Sequence, residues 1–127
     1  MKLLGISAHY HDSAAALGFE PRLMLDGPID SAVASDVADA IVATVREALS
    51  NVARHASATI VDVELSVGDE VLLRVCDNGS GLPTELRAGG HGLANMEERA
   101  RHFGGAFDAA PGPTVGTVIT WRAPLRG

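Results

Sequence analysis

Three polar side chains recur every four residues in the stretch REALSNVARHA, residues 46–56: Glu47, Asn51 and His55. Residues four apart in a helix are separated by only about 40° around its axis, so all three lie along one edge. A carboxylate there can orient or deprotonate an attacking group, an amide oxygen can bind a hard cation such as Mg²⁺, and Arg54 or His55 can contact phosphate. For this helix taken alone, an ordinary solvated edge is the alternative.

A second candidate site lies where the apolar stretch VLLRVCD, residues 71–77, is followed by NGSGLP. Asp77 ends this predicted strand, and a carboxylate at that point can accept a hydrogen bond from an amino group of a ligand. Gly79 and Gly81 allow the chain to turn sharply around such a ligand, because glycine adopts backbone conformations that other residues avoid. Asp-Asn-Gly is also typical of an ordinary turn, so the motif alone leaves both interpretations open.

Three further glycines, Gly89, Gly90 and Gly92, stand directly before a predicted helix in GGHGLANM. Glycines at a helix N-terminus let phosphate oxygens approach the backbone amides, and the helix dipole favours the negative charge. The pattern Gly-x-x-x-x-Gly-Lys of a Walker loop is missing, and the glycines do not follow a strand within a βαβ unit. The motif therefore indicates neither a Walker loop nor a dinucleotide fingerprint.

Length and composition limit the kinds of protein that can carry these motifs. A chain of 127 residues, 46% of them hydrophobic, fits one globular domain with a modest core. The net charge of −6 and the lack of a basic block argue against nucleic-acid binding. Because Lys2 is the only lysine, positive charge at a phosphate site must come from arginine, histidine, backbone amides or a metal ion. The single cysteine, Cys76, excludes an internal disulfide and is compatible with a reducing compartment.

No apolar run in the sequence approaches the roughly 20 residues that a transmembrane helix needs. The N-terminus also lacks the basic start and the long apolar core of a secretory signal. We therefore expect a cytoplasmic domain that makes no membrane contact of its own. A membrane-bound parent protein is compatible with this expectation.

The first half of the sequence predicts a strand and a long helix. The strand covers residues 22–25 and ends in a turn at 26–28, and either Ser31 or Ser35 can cap the helix that follows. The apolar side chains of this helix keep helical spacing; they are Val37, Ile41, Val42, Val45, Ala48, Leu49, Val52 and Ala56.

The second half predicts four strands and a second helix. Residues 59–67 alternate between apolar and polar, a hairpin turn at 68–70 follows, and residues 71–77 return as the next strand. A long loop over 78–92 precedes the second helix, which ends at the glycine pair 104–105, and two strands around a turn at 111–113 complete the domain. The inward-facing residues of the second helix are Leu93, Met96, Ala100 and Phe103.

This order of elements predicts an α/β fold, specifically a two-layer α+β sandwich. One mixed, mainly antiparallel sheet of about five strands is covered on one face by about three helices. Trp121 is expected to pack under a helix and His102 to lie on a helix surface. We expect Cys76 to contribute to packing rather than to redox chemistry.

Four motifs, EALSNVARHA, DNGSGLP, HGLANMEERA and GGAFDAAPGPTVGTVITW, resemble in order and spacing the N, G1, G2 and G3 boxes of the GHKL ATPase superfamily. Within it, the chain is similar to the catalytic, ATP-binding domain of two-component sensor histidine kinases, which have a Bergerat-type fold. The form HGLANMEERARHFGG resembles the nitrate-sensor-like subfamily, which includes the actinobacterial dormancy sensor kinases. The resemblance covers residues 19–124.

The resemblance implies a role for each matching residue. Asn51 would bind Mg²⁺, Glu47 would be the polar catalytic residue before it, and Arg54 and His55 would lie near the phosphates of ATP. The implied adenine pocket and lid contain the remaining ATP-binding residues: Asp77, which would bind the adenine amino group, with Gly79, Gly81, Leu82, Gly90, His91, Gly92, Leu93 and Thr117. The lid between Leu82 and Gly90 is short and lacks a separate phenylalanine box, so much of the lid of larger kinases is absent.

A kinase of this kind transfers the γ-phosphoryl group of ATP to a histidine on a dimerisation domain, and a response regulator acts downstream. The chain has no room for the two long helices of such a domain, so we expect both partners to lie outside it. An anti-sigma-factor serine kinase, whose N box is similar, is one alternative, although the GLANMEER helix argues against it. A nucleotide-binding module without turnover of its own is the alternative that is not an enzyme.

The first residues do not match this pattern. The stretch LLGISAHYHDSAAAL resembles the N-terminal strand and turn of nodulation-type carbamoyltransferases, and nothing of that fold follows. We therefore expect residues 1–17 to be a leader of separate origin and residues 18–127 to form the ATP-binding domain. His9, His11 and Asp12 would make a poor metal site on a terminal segment. His11 is not expected to accept phosphate, because the helix that precedes such a histidine is missing.

Overall fold

The computed structural model describes residues 22–27, 33–52, 58–79, 91–111 and 116–125. These ranges contain seven elements: β1 (Arg22–Asp26), α1 (Ser35–Asn51), β2 (Val61–Val67), β3 (Glu70–Asp77), α2 (His91–His102), β4 (Ala106–Pro111) and β5 (Thr117–Pro124). The predicted order of strands and helices is confirmed over this part of the chain. It contains two helices, where about three were expected for the whole domain. Neither described helix is long and apolar enough to cross a membrane.

The five strands form one sheet in the order β1-β2-β3-β5-β4. β1 pairs with β2 in parallel, and the other three pairings are antiparallel. The parallel pair follows from the position of α1 between β1 and β2 in the chain, because parallel neighbours need a long crossover connection. β2 and β3 are joined by a tight turn in which the amide of Gly68 donates to the carbonyl of Glu70. The mixed, mainly antiparallel sheet is therefore confirmed.

Alternation along the strands determines which face of the sheet the helices cover. In β2 every second residue from Val61 to Val67 is buried, and β5 shows the same pattern from Thr117 onward. α1 contacts β3 and α2, and α2 contacts β4 and β5. The two helices therefore cover the face that carries the buried side chains, as a two-layer sandwich requires.

Side chains from both layers meet in the core. The largest of those excluded from solvent are Trp121, Ile41, Leu49, Leu65, Leu73 and Met96. The indole Nε1 of Trp121 donates to the backbone carbonyl of Met96 at 3.1 Å, which ties β5 to α2. A buried indole without an acceptor would cost about 1–3 kcal/mol, so this bond favours one seating of the helix on the sheet. The predictions for Trp121 under a helix and for His102 on the surface are confirmed.

The other face of the sheet is polar and partly exposed. Its cross-strand ion pairs include Arg22 with Asp62 and Arg74 with Glu64, the second at 3.2 Å. Pairs this exposed contribute little to stability, because water screens the two charges. Cys76 is half-buried on this face, and burial raises the pKa of its thiol, which disfavours the reactive thiolate. That environment supports a packing role for the cysteine.

The start of α1 differs from the prediction. Ala34 holds the N-cap position in an extended conformation, and no side chain caps the helix, so Ser35 is its first residue rather than its cap. Ser31 lies outside the described residues. The amide of Ala34 donates to the carbonyl of Leu125 at 2.9 Å, and Asp36 Oδ1 accepts from the amide of Val37. A contact with the far end of the chain replaces the local cap, and no sequence motif shows such a contact.

Glycines with a positive φ end two of the elements. Gly27 follows β1 with φ +91°, and a Cβ there would lie 2.0 Å from the carbonyl oxygen of Val67. Gly104 follows α2 with φ +77°, which is the left-handed residue that commonly ends a helix. The predicted end of α2 at residues 104–105 is confirmed. The positive φ of Gly27 supports the turn predicted at residues 26–28, of which residue 28 lies outside the described part. β1 extends to Asp26, one residue beyond the predicted strand.

Candidate functional site

One group of predicted site residues lies where β3 ends and β5 begins; Asp77, Gly79, Gly116 and Thr117 are called the sheet side of the site below. The β3-β5 register pairs Asp77 directly with Thr117. Both residues continue the alternation of the buried positions on their strands, so both face the helix layer. Thr117 is buried and Asp77 is half-buried. The structure therefore brings together two residues that are far apart in the sequence.

Asp77 is held by backbone donors. The amide of Gly79 donates to Asp77 Oδ1 at 2.8 Å, and the amide of Thr117 also donates to this carboxylate. Burial raises the pKa of Asp77, and the two backbone hydrogen bonds oppose this rise. A carboxylate that is oriented in this way and still partly accessible can accept a further hydrogen bond from an amino group of a ligand.

Gly116 makes the close approach of the two strands possible. Its φ is +81°, and a Cβ at this position would lie only 1.9 Å from the carbonyl oxygen of Asp77. A side chain would therefore both collide with β3 and force an L residue into a conformation that costs energy. Thr117 was predicted from its motif, whereas the contact between Gly116 and Asp77 is shown only by the structure.

Asn78 ties the end of β3 to the start of β2. Its Oδ1 accepts from the amides of Thr59 and Ile60, both at 2.9 Å, and its Nδ2 donates to Thr59 Oγ1 at 3.0 Å. Its own amide donates to the carbonyl of Ile60 at 3.2 Å. From the sequence, Asn78 was interpreted only as part of a turn, because Asn-Gly is a common turn signal. Its partners Thr59 and Ile60 lie directly before β2, so only the pairing of β2 with β3 reveals this role.

A second group of residues lies on the two helices; Thr44, Glu47 and Asn51 of α1 with Arg99 of α2 are called the helix side of the site below. Asn51 is only 3% exposed. The side chain of Glu47 is 26% exposed. Asn51 therefore does not lie on a solvated edge, which was the alternative interpretation of the spacing of Glu47 and Asn51. A buried asparagine is uncommon in a small core, so the burial of Asn51 is the feature of this edge that needs an explanation.

Arg99 joins α2 to Glu47. Its Nη2 lies 2.6 Å from Glu47 Oε1, and its Nη1 donates to Thr44 Oγ1 at 3.3 Å. Thr44 is fully buried and donates from the same hydroxyl to the carbonyl of Ala40 at 2.7 Å. Neither Thr44 nor Arg99 was predicted from the sequence. The available signals were a threonine on the apolar stripe of α1 and an arginine next to the inward-facing Met96 and Ala100.

Several predicted site residues cannot be placed in this geometry. Five of them lie outside the described residues: Arg54, His55, Gly81, Leu82 and Gly90. His91, Gly92 and Leu93 form the first turn of α2, but their side chains lie outside the described part. The predicted phosphate contacts and the lid therefore stay predictions.

Oxygen donors on α1 fit a hard cation that arrives with its own ligands. Asn51 offers an amide oxygen, which is a donor that Mg²⁺ accepts. Within the described residues no group of three or more His, Cys, Asp or Glu side chains could hold a metal ion. Mg²⁺ commonly binds through one or two protein oxygens together with water and substrate phosphates.

Comparison with known proteins identifies a family and relatives. Residues 36–127 match the family model described as histidine kinase-, DNA gyrase B-, and HSP90-like ATPase. The chain is 38% identical over 98 residues to the sensor histidine kinase LiaS of Bacillus subtilis, covering 76% of this chain and 27% of LiaS. It is 39% identical over 98 residues to the sensor protein VraS of Staphylococcus aureus, covering 76% of this chain and 28% of VraS. The chain thus spans about a quarter of the length of these curated relatives.

Solved structures share the fold. The ATP binding domain of PrrB from Mycobacterium tuberculosis has a TM-score of 0.68 at 24% identity, covering 94% of this chain and 90% of that one. The Acinetobacter baumannii histidine kinase AdeS has a TM-score of 0.75 at 17% identity, covering 99% and 64%. Full-length ShkA in complex with AMPPNP has a TM-score of 0.73 at 18% identity, covering 99% and 29%. At these identities the likeness establishes the fold alone.

Proposed function

Because the chain belongs to the histidine kinase-, DNA gyrase B- and HSP90-like ATPase family, we propose that it is the catalytic, ATP-binding domain of a sensor histidine kinase. The observation that carries the proposal is the sheet side of the site, where Asp77 and Thr117 are paired across the strands and Gly116 permits their close approach. Such a domain binds Mg-ATP and presents its γ-phosphate to a histidine on another domain.

Asp77 would select adenine through hydrogen-bonding chemistry. The exocyclic amino group of adenine is a donor, and a carboxylate is an acceptor, so the two are complementary. Guanine presents a carbonyl oxygen at the corresponding position, which would face the carboxylate acceptor to acceptor. The backbone donors from Gly79 and Thr117 hold the carboxylate in one orientation. ATP is therefore favoured over GTP in this proposal.

Glu47 and Asn51 would act at the phosphate end of the nucleotide. Mg²⁺ bound there would supply charge neutralisation, and Asn51 is the residue that would hold it. Glu47 would orient or deprotonate the attacking group, while Arg54, His55, Gly90, His91 and Gly92 would contact phosphate. Gly81, Leu82 and Leu93 would complete the adenine pocket and lid. Phosphoryl transfer is accelerated mainly by positioning and electrostatics, and this set of residues supports both.

The partners of the domain belong to the same proposal. The phosphoacceptor would be a histidine on the dimerisation domain of the parent kinase, with a response regulator downstream, and the domain itself would act in the cytoplasm without nucleic acid or membrane contact. LiaS is a sensor histidine kinase, which supports a histidine acceptor over the serine acceptor of an anti-sigma-factor kinase. The nitrate-sensor-like subfamily, the leader over 1–17 and the domain over 18–127 remain proposals, since residues 1–21 lie outside the described part.

Calorimetric titration with ATP tests the proposal. The wild-type chain should bind ATP in the presence of Mg²⁺ and should bind GTP more weakly. Asp77→Asn should weaken ATP binding with and without Mg²⁺, whereas Asn51→Ala should weaken it only with Mg²⁺. Asp108→Asn, an exposed aspartate on β4, is the matched control and should bind like wild type. No ATP binding by the wild-type chain would contradict the proposal.

A transfer assay separates the kinase from a binding module without turnover. The chain is mixed with Mg-ATP and with a histidine-containing dimerisation domain of the parent kinase. Acid-labile, base-stable phosphate on that domain would support the kinase. Tight ATP binding without transfer would favour the binding module.

A further inference from the structure

We propose that Arg99 is a positioning residue for Glu47, so that the seating of α2 on the sheet sets the orientation of a catalytic carboxylate on α1. The inference rests on the proposed function, in which Glu47 is a catalytic residue. It adds a second helix to the part of the site that acts at the phosphate end of the nucleotide. Arg99 itself acts through Glu47 and is not assigned any contact with ATP.

The contact between Arg99 and Glu47 is short and sheltered. Arg99 Nη2 lies 2.6 Å from Glu47 Oε1, and the two side chains are 25% and 26% exposed. The pair formed by Arg101 and Glu97 within α2 is different, with a separation of 3.7 Å and exposures of 74% and 47%. Shielding from water strengthens a charge-assisted hydrogen bond and reduces the number of conformations that each partner samples. The sheltered pair is therefore suited to fixing a side-chain orientation.

Thr44 supplies a second anchor for the same guanidinium. Arg99 Nη1 donates to Thr44 Oγ1 at 3.3 Å, and this hydroxyl donates in turn to the carbonyl of Ala40 at 2.7 Å. Thr44 is fully buried and lies three residues before Glu47, on the neighbouring turn of α1. The planar guanidinium is thus held at two points of one helix, which defines its plane as well as its position.

The backbone that carries Arg99 is also fixed. Met96 and Ala100 on either side of it are completely buried, and the carbonyl of Met96 accepts from the indole of Trp121. A shift of α2 on the sheet would therefore move the guanidinium and alter the orientation of Glu47. Small displacements matter for catalysis, since a misplacement of about 1 Å can reduce a rate about 100-fold.

A purely structural link between the helices is the competing explanation, and the two explanations differ in what they affect. A structural link stabilises the fold and leaves the chemical step unchanged. A positioning residue changes the rate at saturating ATP while ATP affinity is kept, because the carboxylate acts on the attacking group rather than on the bound nucleotide.

Two measurements on the complete chain test the inference. The first is nitrogen-15 NMR of the arginine side chains in the absence of nucleotide. Restricted rotation of the Arg99 guanidinium is expected in wild type and should weaken in Glu47→Gln, which loses the charge of one anchor and keeps Thr44, while Arg101 should rotate freely in both proteins. Free rotation of Arg99 in wild type would overturn the inference independently of any nucleotide binding.

The second measurement is the rate of phosphoryl transfer from saturating Mg-ATP to the histidine-containing dimerisation domain of the parent kinase, together with the Kd for Mg-ATP. Arg99→Gln should lower the rate about tenfold and change Kd by less than about twofold. Arg99→Lys should have a rate within about threefold of wild type. It keeps the charge that pairs with Glu47, and the remaining loss reflects the missing planar fork that also reaches Thr44. Arg101→Gln is the matched control and should leave both quantities unchanged.

Thr44→Val is a second variant that tests the inference if the Arg99 variants do not fold. It keeps Arg99 and removes only the hydroxyl that accepts a hydrogen bond from it. It should lower the rate about two- to threefold with Kd unchanged. Wild-type rates in folded Arg99→Gln and Thr44→Val would overturn the inference and leave the proposed function intact. Failure of the wild-type chain to bind ATP would instead count against the proposed function, while the NMR result would still decide whether Arg99 holds Glu47.

Discussion

The two sides of the site are held in different ways. On the sheet side, Asp77 and Thr117 are neighbours because the β3-β5 register pairs them, and backbone amides orient the carboxylate. On the helix side, Glu47 and Arg99 come from different helices and meet only through their side chains. Backbone geometry therefore determines one side, and side-chain packing between elements determines the other.

This difference predicts which changes each side tolerates. The sheet side should withstand many side-chain substitutions but not a change in backbone geometry, because the ladder hydrogen bonds persist when a side chain is replaced. The helix side should be sensitive to any substitution that shifts α2, because the contacts that join Arg99 to α1 in the described part of the chain are made by side chains. The following predictions test this division in order of decreasing effect.

The largest effect is expected for Gly116→Val on the sheet side. The new Cβ would lie 1.9 Å from the carbonyl oxygen of Asp77, and φ is +81°. Strain of this kind costs about 1–3 kcal/mol before the collision is counted, so we expect a loss of at least about 3 kcal/mol in the free energy of unfolding. Urea denaturation measures it, and ATP binding should be lost as well.

Two other glycines separate the collision from the backbone conformation. Gly104 has φ +77° with open space around its Cβ position, and Gly68 has open space without a positive φ. Gly104→Ala should therefore cost about 1 kcal/mol, and Gly68→Ala should cost less than about 0.5 kcal/mol. Equal losses in all three variants would contradict the role assigned to the contact between Gly116 and Asp77.

On the helix side, Met96→Ala should have the next largest effect. Met96 is completely buried in the core, and truncation of a buried methionine costs about 2–5 kcal/mol. Because Arg99 lies one turn later on α2, we also expect slower phosphoryl transfer to the dimerisation domain, with little change in the affinity for adenosine nucleotides. Ala94→Gly on the exposed face of the same helix is the comparison, since it loosens the helix without opening a cavity. An unchanged rate in folded Met96→Ala would argue against coupling through α2.

Asp77→Asn should separate binding from stability on the sheet side. The amide keeps an acceptor oxygen for the backbone donors but loses the charge, so a hydrogen bond worth about 1.5–3 kcal/mol to the nucleotide is weakened. Calorimetry should show a Kd for ATP about 10- to 100-fold higher than in wild type. The free energy of unfolding at neutral pH should not fall, which distinguishes this residue from Gly116.

The pH dependence of stability follows from the raised pKa of Asp77. Its native pKa lies above the unfolded reference of 3.8, chiefly because of burial. Between these two pKa values the native state binds more protons than the unfolded state, so this residue's contribution to stability falls as pH rises. As pH rises from below 3.8, wild type should therefore lose stability relative to Asp77→Asn, which cannot titrate at this position. The difference in unfolding free energy should stop changing once the pH is above the native pKa of Asp77. A difference that shrinks over this range would show that the backbone hydrogen bonds outweigh burial.

Asn78→Ala should have the smallest effect of the four. It removes the side-chain hydrogen bonds to Thr59 and Ile60. Each such bond contributes about 0.5–1.5 kcal/mol, and bonds near the surface lie at the low end because water can replace the lost partner. We expect a loss of about 1–2 kcal/mol in the free energy of unfolding and a smaller loss of ATP affinity than in Asp77→Asn. Asn95→Ala, an exposed asparagine on α2, is the control and should not be destabilising. No loss in Asn78→Ala would mean that the strand register alone holds the end of β3.

Much of the fold was predictable because its signals are local. Alternation in β2 and β3 and helical spacing in α1 and α2 repeat every few residues, so the sequence itself displays them. The errors lie where distant parts of the chain meet. Ser35 was a plausible cap, but the contact between Ala34 and Leu125 positions the start of α1 instead.

The site was predictable to a lesser extent, and unequally on its two sides. Asp77 and Thr117 were named from motifs, and the structure places them side by side, while their role in ATP binding stays a prediction. Glu47 and Asn51 were named from their spacing, which could not distinguish a solvated edge from a buried one. Arg99 was missed because its importance depends on which helix face meets α1, and that depends on packing rather than on sequence spacing.

The sequence by itself determined the order of the elements, the faces of the strands and helices, and the residue types available for nucleotide chemistry. These properties follow from the period of the backbone and from the side chains, and they need no knowledge of distant contacts. Only the tertiary structure decided that Asn51 is buried, that Gly116 contacts Asp77 and that Arg99 holds Glu47. Each of these depends on strand register or helix seating, which are set by the packing of the whole domain at once.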